Sequence, residues 1–316
     1  MLGHFFGMNM DFNVLVSDDF LNICTNNKIK IKDNKKIVTF INDFEDRKWR
    51  SSKFFNFIWN NIAETALNHK EREALFDKSR EKLIESAKKL RLSEPTDTIG
   101  RGSEIAEIML YAIMKHHYGA LPVVPKIYYK QNSQDNAKGA DSVHIIVDGD
   151  NYSLWFGEAK FFSNLSDQNF YQITNSLSEA LKTEKLKKEN SIITGLSDLN
   201  GLGIENELLD KIIKDLSPKN SIDNIKKLIN VPIMIIHGCE ITEETSLFDE
   251  DYISKMKTHY FEKANKYFLS QYNKLKEVPF YDLIKFHLIL FPVPNKDKIV
   301  DRFIKNVEHY KAEAED

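Results

Sequence analysis

The sequence predicts an α/β fold. Segments with apolar residues at helical spacing alternate along the chain with short runs that are rich in β-branched and aromatic residues. Two of these runs, at residues 231–238 and 286–291, are separated by a long helical segment. Because strands that alternate with helices are typical of α/β proteins, we expect a central sheet flanked by helices.

The first part of the chain predicts a strand pair followed by two helices. Residues 28–41 contain two β-branched runs around a central Asp-Asn pair, which indicates a hairpin. Residues 51–68 and 70–92 then show helical spacing, and the second segment carries Phe76 in its apolar stripe. No catalytic pattern occurs here, so we expect this part to dock within the chain or against a partner.

Helix-breaking residues mark a boundary after this part. Pro95, Gly100 and Gly102 interrupt the helical pattern within a short polar stretch. The length of the chain also favours about two domains. The predicted division is an N-terminal accessory α+β region over residues 1–95 and a second domain over residues 96–316.

The second domain predicts a helix, then strands, then alternating elements. Residues 103–118 are amphipathic and offer Ser103 as an N-cap. A strand is expected near residues 126–130, and residues 141–162 have the pattern strand, turn, strand. Further helices are expected near residues 166–190, 205–228, 250–276 and 296–312, with strands at 231–238 and 286–291.

Composition and residue spacing argue against a zinc-binding protein and against a membrane-spanning protein. The 316 residues are 42% hydrophobic and 29% charged, which is typical of a soluble globular protein. The formal charge is −3, which neither indicates nor excludes nucleic-acid binding. The two cysteines, Cys24 and Cys239, lack the spacing of zinc ligands and fit a reducing cytosol. No apolar run is long enough for a membrane span and no signal peptide is recognised, so we expect a cytoplasmic protein.

Charged residues inside an apolar strand form the strongest candidate site. Glu158 and Lys160 point to one face of that strand, because strand side chains alternate. If Gly149 and Asp150 form a two-residue turn, Asp141 lies directly opposite Glu158, with the Cβ atoms about 5 Å apart. A turn displaced by one residue would keep Asp141 on the same face.

Two negatively charged carboxylates at this distance repel each other, so another group must offset their charge. One carboxylate could be protonated, Lys160 could offset the charge, or a divalent cation could lie between them. Mg²⁺ takes oxygen ligands, commonly one or two carboxylates with water and substrate phosphate. A third carboxylate would come from Glu104 in the first turn of the 103–118 helix, with Glu107, expected nearer to solvent, as the alternate. The alternative interpretation is a partly buried ion-pair cluster without a catalytic role.

Polar and basic residues near this site are candidates for DNA binding. Lys182 and Lys185 lie on an expected helix just after the strand, and Lys138 lies just before Asp141. Lysines at such places can contact phosphates, although a solvated helix face is the simpler interpretation. Gln172 could support the site from the same region, or could be surface polarity.

These residues resemble a known nuclease superfamily. Asp141 followed by Glu158-Ala-Lys160 is similar to the signature of the PD-(D/E)xK nucleases. The helix start GRGSE also resembles archaeal Holliday-junction resolvases. More specifically, the segments GRGSEIAE, KGADSVH and LWFGEAKF resemble the HamA family, the effector nucleases of Hachiman anti-phage defence systems.

The resemblance implies a restriction-endonuclease-like core in the second domain and a Mg²⁺-dependent deoxyribonuclease activity, with Mn²⁺ able to substitute. Asp141 and Glu158 would ligate the metal together with the Ala159 carbonyl, Glu104 would complete the ligand set, and Lys160 would orient or deprotonate the attacking water. The family also implies a superfamily 2 helicase partner of the HamB type. A catalytically inactive subunit that binds DNA or regulates the helicase is the alternative.

Overall fold

A mixed sheet of seven strands, covered by helices, forms the body of the protein. The computed structural model describes residues 10–19, 33–92, 102–130, 139–195 and 197–314. The sheet order in this part is β1-β2-β9-β8-β7-β6-β5. The α/β class predicted from the sequence is therefore confirmed.

The elements of the described part are as follows. The strands are β1 (Asn13–Asp19), β2 (Lys35–Ile41), β3 (Phe44–Glu45), β4 (Lys48–Trp49), β5 (Leu121–Val124), β6 (Ser142–Asp148), β7 (Asn151–Phe162), β8 (Ile229–Gly238) and β9 (Lys285–Val293). The helices are α1 (Ser51–Ala66), α2 (His69–Ala74), α3 (Ser79–Lys88), α4 (Ser103–His116), α5 (Lys126–Lys130), α6 (Asp167–Ala180), α7 (Thr183–Gly195), α8 (Asn206–Asp215), α9 (Glu240–Glu244), α10 (Glu250–Leu275) and α11 (Lys296–Ala312). Short 3-10 helices lie at Ser197–Leu202, Ile222–Asn224, Lys226–Leu228 and Tyr281–Leu283.

Parallel strands occupy the centre of the sheet. The neighbours β2, β9, β8 and β7 run parallel to one another. The outer strands β1, β6 and β5 each pair antiparallel with their neighbours, and β3 and β4 form a separate hairpin. Strands β8 and β9 are buried along almost their whole length, because apolar helices cover both faces of the sheet.

Each face of the sheet supports one apolar core. Helices α1, α4 and α11 pack on one face around Phe54, Ile108 and Phe303. Helices α6, α8 and α10 pack on the other face around Phe170 and Tyr260. None of the described helices is both long enough and apolar enough to cross a membrane.

The N-terminal strands join the same sheet as the later ones. Strand β2 pairs antiparallel with β1 and parallel with β9, so residues from both predicted regions share one sheet. The first half of the predicted hairpin, residues 28–32, and the predicted boundary at residues 93–101 lie outside the described residues. The division into two domains stays a prediction.

Two local predictions are wrong. Residues 126–130 are not a strand but helix α5, because Pro125 ends β5 and accepts the first helical hydrogen bond from Tyr129. The predicted helix over residues 70–92 is divided into α2 and α3, and Phe76 lies in the break with 77% of its surface exposed. Phe76 therefore does not belong to the apolar stripe.

Candidate active site

The hairpin β6–β7 has the register that the sequence predicts. Asp148 pairs with Asn151, and Ser142 pairs with Gly157, so Gly149 and Asp150 form the two-residue turn. Gly149 has a φ of 56°, as the first central residue of a type II′ turn requires. The register places Asp141 opposite Glu158, one step beyond the last paired residues.

Asp141 is held by the backbone of the partner strand. Its N–H donates to the carbonyl of Gly157 at 2.8 Å, and its Oδ2 accepts from the N–H of Ala159 at 3.0 Å. Two hydrogen bonds to one neighbouring segment fix both the backbone and the carboxylate of this residue. The carboxylate is therefore oriented before any ligand binds.

The ammonium of Lys160 lies among three oxygens. Its Nζ is 2.6 Å from Glu158 Oε1 and 3.7 Å from Asp141 Oδ2. It also donates to the carbonyl of Ala159 at 3.3 Å. The structure thus brings together Asp141, Glu158, Lys160 and the Ala159 carbonyl, which the sequence singled out as one site.

The charged groups of this cluster shift one another's pKa values. Burial and the charge of Asp141 raise the pKa of Glu158, although Lys160 opposes the shift. Burial alone would lower the pKa of Lys160, but Asp141 and Glu158 outweigh it and the pKa is raised. Lys160 is therefore a cation at neutral pH, and it offsets the carboxylate repulsion that the sequence predicts.

The oxygens of the cluster suit a hard divalent cation. Two carboxylates and one carbonyl surround a single positive charge, and such oxygens are the ligands that Mg²⁺ accepts. Among the described residues, no three His, Cys, Asp or Glu side chains form a group that could hold a metal ion. Water and substrate phosphate would therefore have to complete the ligand set of a metal held by Asp141 and Glu158.

The structure places the two helical carboxylates in different surroundings. Glu104 Oε1 and Oε2 accept the backbone N–H groups of Arg91 and Leu92 at 2.8 and 3.3 Å, so Glu104 binds the end of the preceding segment. Glu107 is only 5% exposed, and its charge contributes to raising the pKa of Lys160. The expectation that Glu107 lies nearer to solvent is wrong.

The packing of helix α4 is the reason why Glu107 is buried. It packs against α1 on one side and against β7 on the other, so it is buried without a break from Ile105 to Met114. The spacing of the apolar residues in α4 predicts a single buried stripe, with Glu107 on the solvent side. The N-cap position is also Gly102, in the left-handed region, rather than Ser103.

A pocket opens beside Glu158, between β7 and the helices α6 and α7. Its volume is about 440 Å³, and Gln172 and Lys185 line it together with Glu158. Lys182 does not line this pocket; it is half-exposed and pairs with Glu179 at 2.7 Å. Lys138 lies outside the described residues. Two of the four predicted DNA-binding residues are thus brought beside the carboxylates.

The sequence interpretation missed two polar residues of α6. Asn175 and Ser176 line the same pocket, and Ser176 donates a hydrogen bond to the Glu158 carboxylate. They lie three and four residues after Gln172, on the same face of the helix. Helical spacing from Gln172 could have found them.

A buried ion pair supports the segment that carries Asp141. Glu189 accepts the N–H of Ala140 at 2.9 Å and pairs with Lys126 at 2.9 Å, and both charged side chains are buried. A Cβ at Gly139 would lie 1.6 Å from Glu189 Oε1, so a larger residue there would displace the Glu189 carboxylate. No sequence signal connects Lys126 with Glu189, because the pair depends on how α5 and α7 meet in the fold.

Comparison with known proteins gives one family. The HamA family model matches residues 18–307, which is most of the chain and includes every residue of the candidate site. No curated protein matches the sequence.

Proposed function

Because the chain belongs to the HamA family, we propose that it acts in Hachiman-type anti-phage defence as a metal-dependent DNA nuclease. The observation that carries the proposal is the cluster at the start of the β6–β7 hairpin. There, oxygens of Asp141, Glu158 and Ala159 converge on the Lys160 ammonium within 2.6 to 3.7 Å. The arrangement is consistent with the PD-(D/E)xK signature that the sequence resembles.

Hydrolysis of a phosphodiester needs charge neutralisation and an oriented water. A bound Mg²⁺ would neutralise phosphate charge and lower the pKa of a ligated water. Asp141 and Glu158 would hold that ion, and their prior orientation by Ala159 and Ser176 would limit the cost of binding. The water oxygen would bond to phosphorus while the bond to the leaving sugar oxygen breaks, and one proton of the water would pass through solvent to that leaving oxygen.

Lys160 would serve the attacking water. Its ammonium can donate a hydrogen bond to that water or to a phosphate oxygen, and its charge would stabilise the extra negative charge of the transition state. The raised pKa keeps this charge at neutral pH as long as no metal is bound. Glu107 would act as a further negative group near Lys160.

A helicase partner is part of the proposal. It is supported by the family alone, in which a superfamily 2 helicase of the HamB type would restrain and release the nuclease. The N-terminal region is the part without a proposed catalytic group, so it is the first place to look for the contact. Loss of co-purification with the helicase in the full chain carrying Phe76→Asp, at a residue of this region with 77% of its surface exposed, would support that assignment.

The same cluster also favours a second candidate. The Lys160 ammonium occupies the space between the oxygens, so the three side chains form a complete internal ion-pair cluster. Such a cluster could be structural in a subunit that binds DNA or regulates the helicase without cleaving. In that case Asp141 and Glu158 would have no measurable affinity for divalent metals.

Cleavage of DNA separates the two candidates. We expect the purified chain, with its helicase partner where needed, to degrade plasmid DNA in Mg²⁺ or Mn²⁺ and to be inactive in EDTA. Glu158→Gln should abolish cleavage, whereas Glu277→Gln, at an exposed carboxylate, should leave it unchanged. Equal cleavage by the wild-type chain and Glu158→Gln would contradict the proposal.

A further inference from the structure

The pocket beside Glu158 has the lining of a ligand-binding site. Its deeper wall is apolar, and its polar groups gather on the side of α6 and at the mouth. The apolar wall is formed by Phe156, Leu177, Leu181, Leu186 and Val231. The polar groups include the amides of Gln172 and Asn175 and the hydroxyl of Ser176, with Lys185 exposed at the rim. A mostly apolar cavity with a few polar groups is the usual form of a small-molecule site.

The size of the pocket limits what can enter. A volume of about 440 Å³ lies within the range of sites for single small ligands and can hold one nucleotide. A base that is paired and stacked in a duplex cannot reach such a pocket without leaving the helix. The occupant, if it is part of a DNA substrate, is therefore an unpaired base.

We propose that this pocket holds the base of one unpaired nucleotide next to the phosphate to be cut. The substrate is then single-stranded DNA, or the frayed or extruded nucleotides of a duplex. This inference rests on the proposed nuclease function, because it uses the position of Glu158 as one wall of the pocket.

The chemistry of the lining fits a base with its attached phosphate. The apolar wall would bury the faces of the base, while the amides of Gln172 and Asn175 can pair with donors or acceptors on its edge. The exposed Lys185 at the rim can contact a backbone phosphate. The side of the pocket that reaches Glu158 brings the nucleotide beside one of the proposed metal ligands.

Three carboxylates line the pocket, those of Glu158, Glu179 and Glu189, and each is paired with a lysine, so they do not oppose this occupant. Glu189 is among the lining residues, but its charge is offset by Lys126 at 2.9 Å. Because both side chains are buried, salt in the solvent screens this ion pair much less than an exposed one. The inner part of the pocket therefore carries no uncompensated negative charge from this residue that would repel an anionic nucleotide.

Binding of a fluorescent base tests the pocket without cleavage. We would place 2-aminopurine in a single-stranded oligonucleotide and in the middle of a duplex of the same sequence, and add the full chain carrying Glu158→Gln. We expect a fluorescence change with the single strand and little change with the duplex. Adding Ala180→Phe, which fills the pocket from α6, should abolish the change. Ser178→Phe, on the same helix and not lining the pocket, is the matched control.

Cleavage provides the second measurement. The wild-type chain should cut the single strand faster than the duplex, and Ala180→Phe should lower kcat/KM on the single strand by about tenfold or more, as a misfit in a binding pocket does. Mn²⁺ affinity and the urea midpoint of Ala180→Phe should stay near the wild-type values, which separates a blocked pocket from misfolding.

The outcomes distinguish the proposed nucleotide pocket from the proposed nuclease activity. A 2-aminopurine response that Ala180→Phe does not remove, or equal cleavage of single strand and duplex, would overturn the nucleotide pocket while leaving the nuclease intact. A response that Ala180→Phe does remove, in a chain that cuts no DNA with any metal or partner, would support the pocket and contradict the nuclease. If Ala180→Phe loses helicase binding but keeps the 2-aminopurine response, the pocket binds the protein partner, and the inference is overturned.

Discussion

The Nζ of Lys160 lies 2.6 Å from Oε1 of Glu158, two residues earlier on the same face of β7. This contact places a positive charge where the sequence predicts a metal between carboxylates. On our proposal, the lysine balances the carboxylates until a divalent ion binds, and then turns to the water or phosphate. The two states differ in which cation neutralises Glu158, and this difference can be measured.

Lys160→Met should separate metal binding from catalysis. Removing the ammonium takes away a competitor for the oxygens of Glu158 and Asp141, so Mn²⁺ affinity should be equal to or higher than that of the wild type. Cleavage should fall by about 100-fold or more, because the positioned group that serves the water is lost. Calorimetry and a cleavage assay on the same preparation measure both. Lys255→Met, which removes an exposed lysine paired with Asp251, is the control.

If Lys160→Met weakens Mn²⁺ binding and cleavage by the same factor, the lysine supports the metal ligands rather than the reaction. If cleavage is unchanged, the lysine belongs to a structural ion pair only.

Glu107 and Glu104 should respond differently to the same substitution. Glu107→Gln removes a buried negative charge that acts on Lys160, so we expect slower cleavage with a folded chain. Glu104→Gln weakens hydrogen bonds to Arg91 and Leu92, so we expect a lower unfolding midpoint with little change in kcat. Urea unfolding and cleavage rates for both variants decide between them. Slower cleavage only in Glu104→Gln would restore the choice made from the sequence.

The ion pair between Lys126 and Glu189 should be important for stability. Lys126→Met leaves the Glu189 carboxylate buried without its cation, which costs about 3–5 kcal/mol of unfolding free energy. The double variant Lys126→Met/Glu189→Met should recover much of this loss, because no charge is then left buried. Urea unfolding at pH 7.5 measures both, with Lys255→Met as the control for an exposed pair. A loss below about 1 kcal/mol in Lys126→Met would contradict the buried pair.

Three buried histidines should make the fold sensitive to acid. Burial lowers the pKa of His144, His237 and His287 to about 3, against an ordinary value of 6.5. The unfolded chain therefore binds more protons below pH 6.5, and stability falls as the pH drops from 6.5 towards 3. Each histidine should contribute a loss of about 2 kcal/mol at pH 5.0 relative to neutral pH. Urea midpoints measured from pH 7.5 to 5.0 test this slope.

His144→Phe should reduce that slope by the contribution of one buried histidine. Neither ring nitrogen of His144 has a hydrogen-bond partner among the described residues, and the ring lies 4.5 Å from that of Tyr111, so Phe replaces it without breaking a polar contact. The same slope in His144→Phe as in the wild type would show that His144 is protonated in the fold.

The sequence predicted what depends on neighbours along the chain. The two-residue turn at Gly149 fixed the register of Asp141 against Glu158, and strand alternation placed Lys160 beside Glu158. The long helices α10 and α11 were likewise expected within one or two residues of their bounds, because strong helical spacing is a local signal.

Contacts between distant segments were not predicted. Glu107 is buried because α1 covers α4, and no pattern within α4 could show that. The pairing of β2 with β1 on one side and β9 on the other depends in the same way on the assembled sheet. The helix α5 was missed because a short apolar segment after a proline has no clear period.

Calorimetric titration of Mn²⁺ into the metal-free chain decides whether Asp141 and Glu158 are metal ligands, and it needs neither DNA nor a partner. We expect saturable binding to the wild-type chain that is lost in Asp141→Asn and in Glu158→Gln and kept in Glu277→Gln. The absence of binding to the wild-type chain, or binding that both Asp141→Asn and Glu158→Gln retain, would contradict the assignment of these carboxylates as metal ligands.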